Sequence, residues 1–219
     1  MNNQTCKKGI FLFSLFFSFQ VNSEEKLKDK NLVQAHQNLE KIFQNYQSPS
    51  LAIPIQQDIF LSMLKTDLTS QGFLFLNPEK FRLELNGKPS SLVIFDGSFL
   101  WYQPDLKEKV VFKLKNPIEI QMLNSFFLKN LFFKKFEIVD FRKNSKHFFY
   151  QLKPKQQINN LKDIFMKTNK KTILEIQIRW KDLNTWQKYT LSKPLVRKIP
   201  ERFFNWVITT NFRVLEKEI

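Results

Sequence analysis

The chain has 219 residues, enough for one domain with a substantial core, and a formal net charge of +15 from 35 basic and 20 acidic residues. One cysteine, two histidines and four glycines exclude a disulfide framework, argue against a zinc site and leave no glycine-rich phosphate loop. The 25 phenylalanines must be buried, exposed at a cost, or used against a ligand.

The N-terminal segment 1–23 is predicted to be a cleaved signal peptide. Lys7 and Lys8 precede a ten-residue apolar run, Ile10–Phe19, and Ser23 is a small residue at the cleavage position. The run is too short to span a bilayer, which needs about 20 residues; an N-terminal membrane anchor is the alternative. Cys6 would leave with the signal. The mature single domain, residues 24–219, would then have no thiol and a net charge of +13, from 33 basic and 20 acidic residues.

The mature chain is predicted to begin with an amphipathic helix over residues 26–47. Apolar residues recur there at steps of three and four, and Pro49 ends the run. The next segment, Leu51–Asp67, is extended but irregular, and Pro54 predicts an edge strand at its start.

Short strands separated by turns follow, and they predict an antiparallel meander. Strict alternation in Phe81–Leu85 places Phe81, Leu83 and Leu85 on one face. Asp96-Gly97 between two apolar runs suits a two-residue hairpin turn. The strands are predicted over residues 71–76, 80–86, 90–95, 99–103 and 109–114.

A second helix is predicted over residues 117–131. Pro117 is tolerated at a first helical position, and the apolar side chains cluster near one side, with Glu119 and Lys129 as the only charges. A helix this apolar must lie over something apolar, which is either a sheet core or a lipid acyl chain.

Strand patterns resume after this helix, over residues 136–141, 147–153, 172–180 and 186–192. The polar, lysine-rich stretch 156–171 predicts a short helical turn around Leu161, Ile164 and Phe165, and residues 203–215 are extended again. About ten strands in one mostly antiparallel sheet, wrapped around the helices, is the expected layout.

No catalytic or metal-binding pattern accompanies this fold, so an enzyme is not expected. His36 and His147 stand in different elements, and Asp96 is a turn residue. The basic charge favours anionic partners. Nucleic acid is disfavoured because Arg82 lies on the face opposite Phe81, whereas stacking platforms mix cations and aromatics on one face. A membrane-surface lipid-binding protein is left open.

The motifs, taken together, resemble the outer-membrane lipoprotein carrier LolA family over nearly the whole mature chain. They occur in the family's order: Gly72–Phe75, Asn77–Arg82, Asp96-Gly97, Leu100–Tyr102, Pro104 and Leu152–Lys155. The resemblance implies a mainly β (α+β) fold: an unclosed antiparallel β-barrel, or strongly curved sheet, with a helical lid enclosing a hydrophobic cavity.

The resemblance also implies a function without cofactors or metals. A monomeric periplasmic carrier would take acylated lipoproteins from an inner-membrane ABC transporter and deliver them to an outer-membrane acceptor. The residues assigned to the acyl-binding cavity and its lid are Leu74, Phe81, Leu83, Leu85, Trp101, Met122, Leu123, Phe126, Phe127 and Leu131.

Two features separate this chain from the family pattern. Asn77 stands where the family has an arginine that hydrogen-bonds the lid, and Arg82 belongs to another position. Thr209-Thr210 stands near the place of the family's C-terminal double proline. A divergent carrier of another amphiphilic lipid is therefore the alternative, whereas the fixed lipidated acceptor is disfavoured because Cys6 does not follow the apolar run.

Overall fold

The computed structural model describes residues 30–46, 50–61, 66–77, 80–87, 90–95, 99–104, 110–115, 129–157, 161–181, 185–205 and 213–218. The predicted signal peptide, 1–23, lies outside them, as does most of the predicted helix 117–131. Across the described ranges, no helix has the length and hydropathy that a membrane span requires.

The described chain consists of two α-helices, a short 3-10 helix and thirteen strands. Helix α1 spans residues 30–44, helix α2 spans Lys129–Lys135, and the 3-10 helix spans Glu201–Phe203. The strands are β1 Leu51–Leu61, β2 Thr66–Leu76, β3 Phe81–Gly87, β4 Ser91–Phe95, β5 Phe99–Tyr102, β6 Val110–Lys115, β7 Phe136–Lys143, β8 Phe148–Pro154, β9 Leu161–Thr168, β10 Ile173–Trp180, β11 Trp186–Leu191, β12 Leu195–Val196 and β13 Arg213–Glu218.

The strands form one sheet in the order β13-β6-β5-β4-β3-β2-β1-β11-β10-β9-β8-β7, with β12 paired to the start of β1. Two antiparallel meanders, β1–β6 and β7–β11, are joined where β1 pairs with β11. Strand β13 pairs with β6 in parallel, unlike the antiparallel pairs elsewhere. Among the described strands nothing pairs β7 with β13, so the sheet is not closed, as predicted.

One face of the sheet is concave and holds the main core. Nine neighbouring strands, from β4 to β7 in sheet order, contribute buried side chains to one hydrophobic cluster that also contains α1. Laid flat, nine strands would span about 38 Å at about 4.8 Å per spacing, whereas a helix is only about 10 Å wide. The sheet therefore curves around the helix, and its other face is convex.

Most predicted strands are confirmed within one to three residues, but the helical turn predicted around Leu161 is wrong. This segment is strand β9, which pairs with β8 and β10. Leu161, Ile164 and Met166 are buried, while Lys162 and Lys167 are on the outer side. The sequence misleads because the apolar residues at 161, 164 and 165 have helical spacing by chance.

The edge position predicted for Pro54 is also wrong, because β1 is a central strand paired with β2 and β11. Proline is tolerated because its backbone faces the gap between β11 and β12, where no ladder donor is needed. Its carbonyl accepts a hydrogen bond from the Ser192 N–H at 2.9 Å. In an antiparallel strand, the N and C=O of one residue point to the same side, so the missing N–H falls in this gap.

Gly72 allows strands β2 and β3 to approach closely. It pairs with Leu85 in β3 and Ile55 in β1. A Cβ atom at this position would stand 1.7 Å from the carbonyl oxygen of Glu84, so no other residue fits without moving the backbone.

The two-residue turn predicted at Asp96-Gly97 is wrong in its length. Phe95 pairs with Phe99, so three residues connect β4 to β5.

Candidate functional site

The concave face is the candidate site, and four of the predicted cavity residues lie on it. Leu74 pairs with Leu83 across β2 and β3, and Phe81 and Leu85 occupy the neighbouring inward positions of β3. All four are buried in the main cluster. They form a continuous apolar wall because alternate residues of adjacent, in-register strands point to the same side.

Trp101 belongs to the same wall but lies nearer its margin. It is opposite Val93 in the β4–β5 pair, is partly buried, and packs against the main cluster. Its indole Nε1–H donates to the Ser91 hydroxyl at 3.0 Å. This bond satisfies the ring's one polar atom and fixes the ring over the apolar surface.

Helix α1 covers the concave face and packs against α2. Ala35, Leu39, Ile42 and Phe43 of α1 are fully buried, and they recur at the three- and four-residue steps that the sequence predicted. The Phe43 ring lies 4.8 Å from the Phe132 ring of α2, centroid to centroid. The apolar sheet is thus covered by apolar helical side chains.

Helix α2 makes a second aromatic contact with α1. The His36 ring stacks on the Phe133 ring at 3.9 Å, and the Phe133 ring also lies edge-on to Phe43 at 5.8 Å. Aromatic side chains of the two helices therefore pack against each other, and the helices together form one cover over the sheet.

Polar contacts hold α1 at its two ends. At the C-terminal end, the Ile173 N–H donates to the Tyr46 hydroxyl at 2.9 Å, and the Asn45 amide donates to the Lys171 carbonyl at 2.7 Å. Near the other end, Lys143 Nζ donates to Gln34 Oε1 at 3.3 Å. Burial raises the pKa of Tyr46 to about 12, although the Ile173 hydrogen bond opposes the shift.

The predicted lid residues are only partly within the described chain. Met122, Leu123, Phe126 and Phe127 lie outside the described residues. Leu131 lies in α2. The described part of the predicted helix, residues 129–131, is therefore helical, and the helix ends at Lys135, four residues beyond its predicted end.

The sequence did not predict a network of hydrogen-bonded polar side chains that lies on the same concave face. Gln57 of β1 donates from Nε2 to the Tyr189 hydroxyl at 2.9 Å, and that hydroxyl donates to Gln187 Oε1 at 3.2 Å. Gln57 and Tyr189 are buried. No local signal could have found this pair, because 132 residues separate the partners in sequence.

The acidic and histidine side chains of the described residues do not gather into a metal site. Within the described residues, no three His, Cys, Asp or Glu side chains are placed to bind a metal ion. The buried acid Asp163 is on the convex face and is bridged to Arg179 through two 2.6 Å contacts. Burial alone would raise its pKa, but Arg179 and Gln151 hold the pKa of this carboxyl below its usual value.

Arg82 also lies on the convex face, away from the helical cover. Its guanidinium donates from Nη1 to the Phe203 carbonyl at 2.9 Å and stacks over the Phe203 ring at 4.3 Å. Its Nε donates to Glu84 at 2.6 Å. Arg82 therefore fixes the C-terminal segment against the outside of the sheet and does not contact the cover.

Comparison with known proteins identifies relatives of this fold. The sequence profile described as Outer membrane lipoprotein carrier protein LolA matches residues 49–200. Comparison with curated proteins gives no match.

Three solved structures are similar to the chain at low sequence identity. An uncharacterized conserved protein from Thermus thermophilus has a TM-score of 0.51 at 8% identity, covering 84% of this chain and 99% of the other. A DUF1329 family protein from Desulfovibrio piger has a TM-score of 0.50 at 9% identity, with 80% and 97% covered. A LolA superfamily protein from Nitrosomonas europaea has a TM-score of 0.47 at 9% identity, with 78% and 96% covered. At such identities the first two likenesses show the fold alone.

Proposed function

The chain belongs to the outer membrane lipoprotein carrier protein LolA family, and from this premise we propose that it is a periplasmic carrier of acylated lipoproteins. It binds their acyl chains against the concave face and carries them from the inner to the outer membrane. The observation that supports this proposal is the apolar sheet face, curved around two helices that are separate from the sheet itself.

On binding, the acyl chains displace the helical cover and contact the concave face of the sheet in its place. Each methylene transferred from water to an apolar site contributes about 0.8 kcal/mol, so an open cavity of this kind would hold a long chain almost irreversibly. Displacing Leu39, Ile42 and Phe43 from the sheet offsets part of that gain. Cargo is then bound reversibly, as a carrier requires.

The attachment of α1 suits this exchange. Its apolar contacts with the sheet can be replaced by acyl contacts of the same kind, whereas its directional bonds lie at the ends, at Gln34, Asn45 and Tyr46. Helix α1 is therefore positioned to swing away from the wall residues Leu74, Phe81, Leu83 and Leu85. Trp101 and the lid residues Met122, Leu123, Phe126, Phe127 and Leu131 complete the acyl site.

The partners follow from this role. Export through the signal peptide 1–23 places the monomeric protein in the periplasm. There an inner-membrane ABC transporter of the LolCDE type supplies the lipoprotein, and an outer-membrane acceptor receives it. No cofactor is required, because the transfer makes and breaks no covalent bond.

Site-specific photo-crosslinking tests the acyl site. A benzophenone amino acid replaces Leu83, on the concave face, or its neighbour Glu84, on the convex face, in protein secreted into the periplasm. We expect Leu83 to crosslink to acylated lipoprotein and Glu84 to crosslink far less, because a strand points successive side chains to opposite faces.

Mass spectrometry of the crosslinked species identifies the cargo. Acylated lipoprotein crosslinked at Leu83 supports the proposal. A different amphiphilic lipid crosslinked there would contradict the proposed cargo but support the proposed acyl site. Equal crosslinking at Leu83 and Glu84, or none at either position in folded protein, would contradict acyl binding on the concave face.

A further inference from the structure

One end of the sheet carries a cluster of cations that are far apart in sequence. Phe148 of β8 pairs with Thr168 of β9, and Thr168 pairs with Ile173 of β10, so the β7–β8 and β9–β10 turns lie at the same end. The pairing of Glu175 with Thr190 puts the segment that follows β11 at that end too.

These three segments contain seven basic residues and no acidic one. The described ranges 143–147, 169–172 and 192–200 hold no Asp or Glu. The cations are all exposed, and together they are called the basic rim: Lys143, Lys146, Lys170, Lys171, Lys193, Arg197 and Lys198. Within the part of the chain that the structure describes, no carboxylate forms a salt bridge with any of them.

An exposed apolar pair lies in the middle of the third segment. Val196 is 75% exposed and Leu195 is 42% exposed, and cations flank the pair on both sides in sequence. The pair is held in place, because Val196 and Leu195 pair with Leu51 and Ala52 of β1. Because this pairing fixes the backbone, the Val196 side chain stays at the surface beside Lys193, Arg197 and Lys198.

We propose that the basic rim docks the protein on a bilayer surface that contains anionic lipid, with Val196 entering the headgroup region. Exposed cations with an exposed aliphatic side chain beside three of them match a membrane interface, which offers negative charge at its surface and apolar chains just below it. Anionic lipid is favoured over an acidic protein face because Val196, 75% exposed beside Lys193, Arg197 and Lys198, gains nothing from a charged protein surface but is buried on entering the headgroup region.

Docking at this rim would serve the proposed carrier, but it does not depend on it. Helix α1 contacts this rim near both of its ends, through the bond from Asn45 to the Lys171 carbonyl and the bond from Lys143 to Gln34. A docked molecule would therefore present its helical cover to the membrane from which an acyl chain enters or leaves.

Vesicle co-sedimentation of the protein starting at residue 24 tests the proposal. The vesicles are phosphatidylcholine with or without phosphatidylglycerol. The rim variant carries Lys193→Gln, Arg197→Gln and Lys198→Gln. The matched control carries Lys153→Gln, Lys162→Gln and Lys181→Gln, which remove the same charge from exposed positions at the opposite end of the sheet.

We expect binding that requires phosphatidylglycerol and weakens with salt, because each cation near an anionic surface strengthens binding about fivefold. The rim variant should lose on the order of 100-fold in affinity, and the control only a few-fold. Equal losses in the two variants would mean that net charge alone acts, and would overturn the proposal. No binding of the unchanged protein to anionic vesicles would also overturn it and direct the search to an acidic protein.

A fluorescent label tests insertion of the tip separately. The protein starting at residue 24 lacks cysteine, so Val196→Cys and the exposed control Gln156→Cys each give one site for an environment-sensitive dye. We expect the dye to shift to the blue on anionic vesicles only at position 196; a shift at neither position or at both would contradict insertion. Crosslinking at Leu83 is read independently in the rim variant, so failure of docking does not count against acyl binding.

Discussion

Replacing Tyr46 with Phe should loosen helix α1 without unfolding the sheet. The Tyr46 hydroxyl accepts the Ile173 N–H at 2.9 Å in a buried setting. Tyr46→Phe keeps the ring and leaves that N–H without this acceptor. A buried polar group left unsatisfied costs about 1–3 kcal/mol.

The size of the effect depends on which state is measured. If α1 opens separately from the sheet, a loss of about 1–2 kcal/mol raises the population with α1 displaced by a factor of about 5–30. Hydrogen exchange of the α1 amides should accelerate by that factor. An acyl-chain probe should bind more tightly, because less free energy is needed to uncover the wall.

Tyr189→Phe is the matched control. It removes a phenolic hydroxyl that is also hydrogen-bonded on the concave face, but its partners Gln57 and Gln187 are on strands. This variant should lower the free energy of unfolding in urea without a selective effect on α1 exchange. Unchanged α1 exchange in Tyr46→Phe, or equal acceleration in both variants, would refute the reasoning that α1 is a separately displaceable cover.

Three further predictions concern stability. Gly72→Ala should lower the urea midpoint strongly or prevent folding, because the new Cβ meets a backbone carbonyl at 1.7 Å; an unchanged midpoint would contradict the close strand approach. Asp163→Asn should cost about 1–3 kcal/mol at neutral pH by unpairing Arg179. The folded pKa of Asp163 is below the ordinary 3.8, so its contribution is present above that value and is lost as pH falls further, and the variant should converge with the unchanged protein in acid. Tyr46 and Tyr150 have pKa values raised from 10.0 to about 12, so they favour the fold below pH 10 and lose that contribution as pH rises through 12. Ultraviolet titration should show late tyrosine ionisation that decreases in Tyr46→Phe and in Tyr150→Phe, and the absence of late ionisation would contradict their burial.

Local periodicity was sufficient for most of the sheet and for α1. The alternation in Phe81–Leu85 placed three residues on one face, and the structure has all three buried there. The three- and four-residue spacing around Leu39 predicted a helix with one buried side, as observed. Such patterns are reliable because burial of one face and backbone geometry repeat together over several residues.

Patterns of a few residues were not sufficient where pairing partners decide the outcome. The segment Leu161–Thr168 has helix-like spacing but is a strand, because β8 and β10 offer ladders on both of its sides. Pro54 looked like an edge residue, yet its backbone faces a gap between β11 and β12. In both cases the deciding neighbour is distant in sequence.

The sequence by itself determined the curved antiparallel sheet, its apolar inner face and the family to which it belongs, because these depend on alternation and short motifs within each strand. Only the tertiary structure decided how α1 is held at Tyr46, that Gln57 hydrogen-bonds Tyr189, and that three segments separate in sequence form one basic rim beside Val196. These features combine residues tens to more than a hundred positions apart, and a chain reveals such combinations only when strand register brings them together.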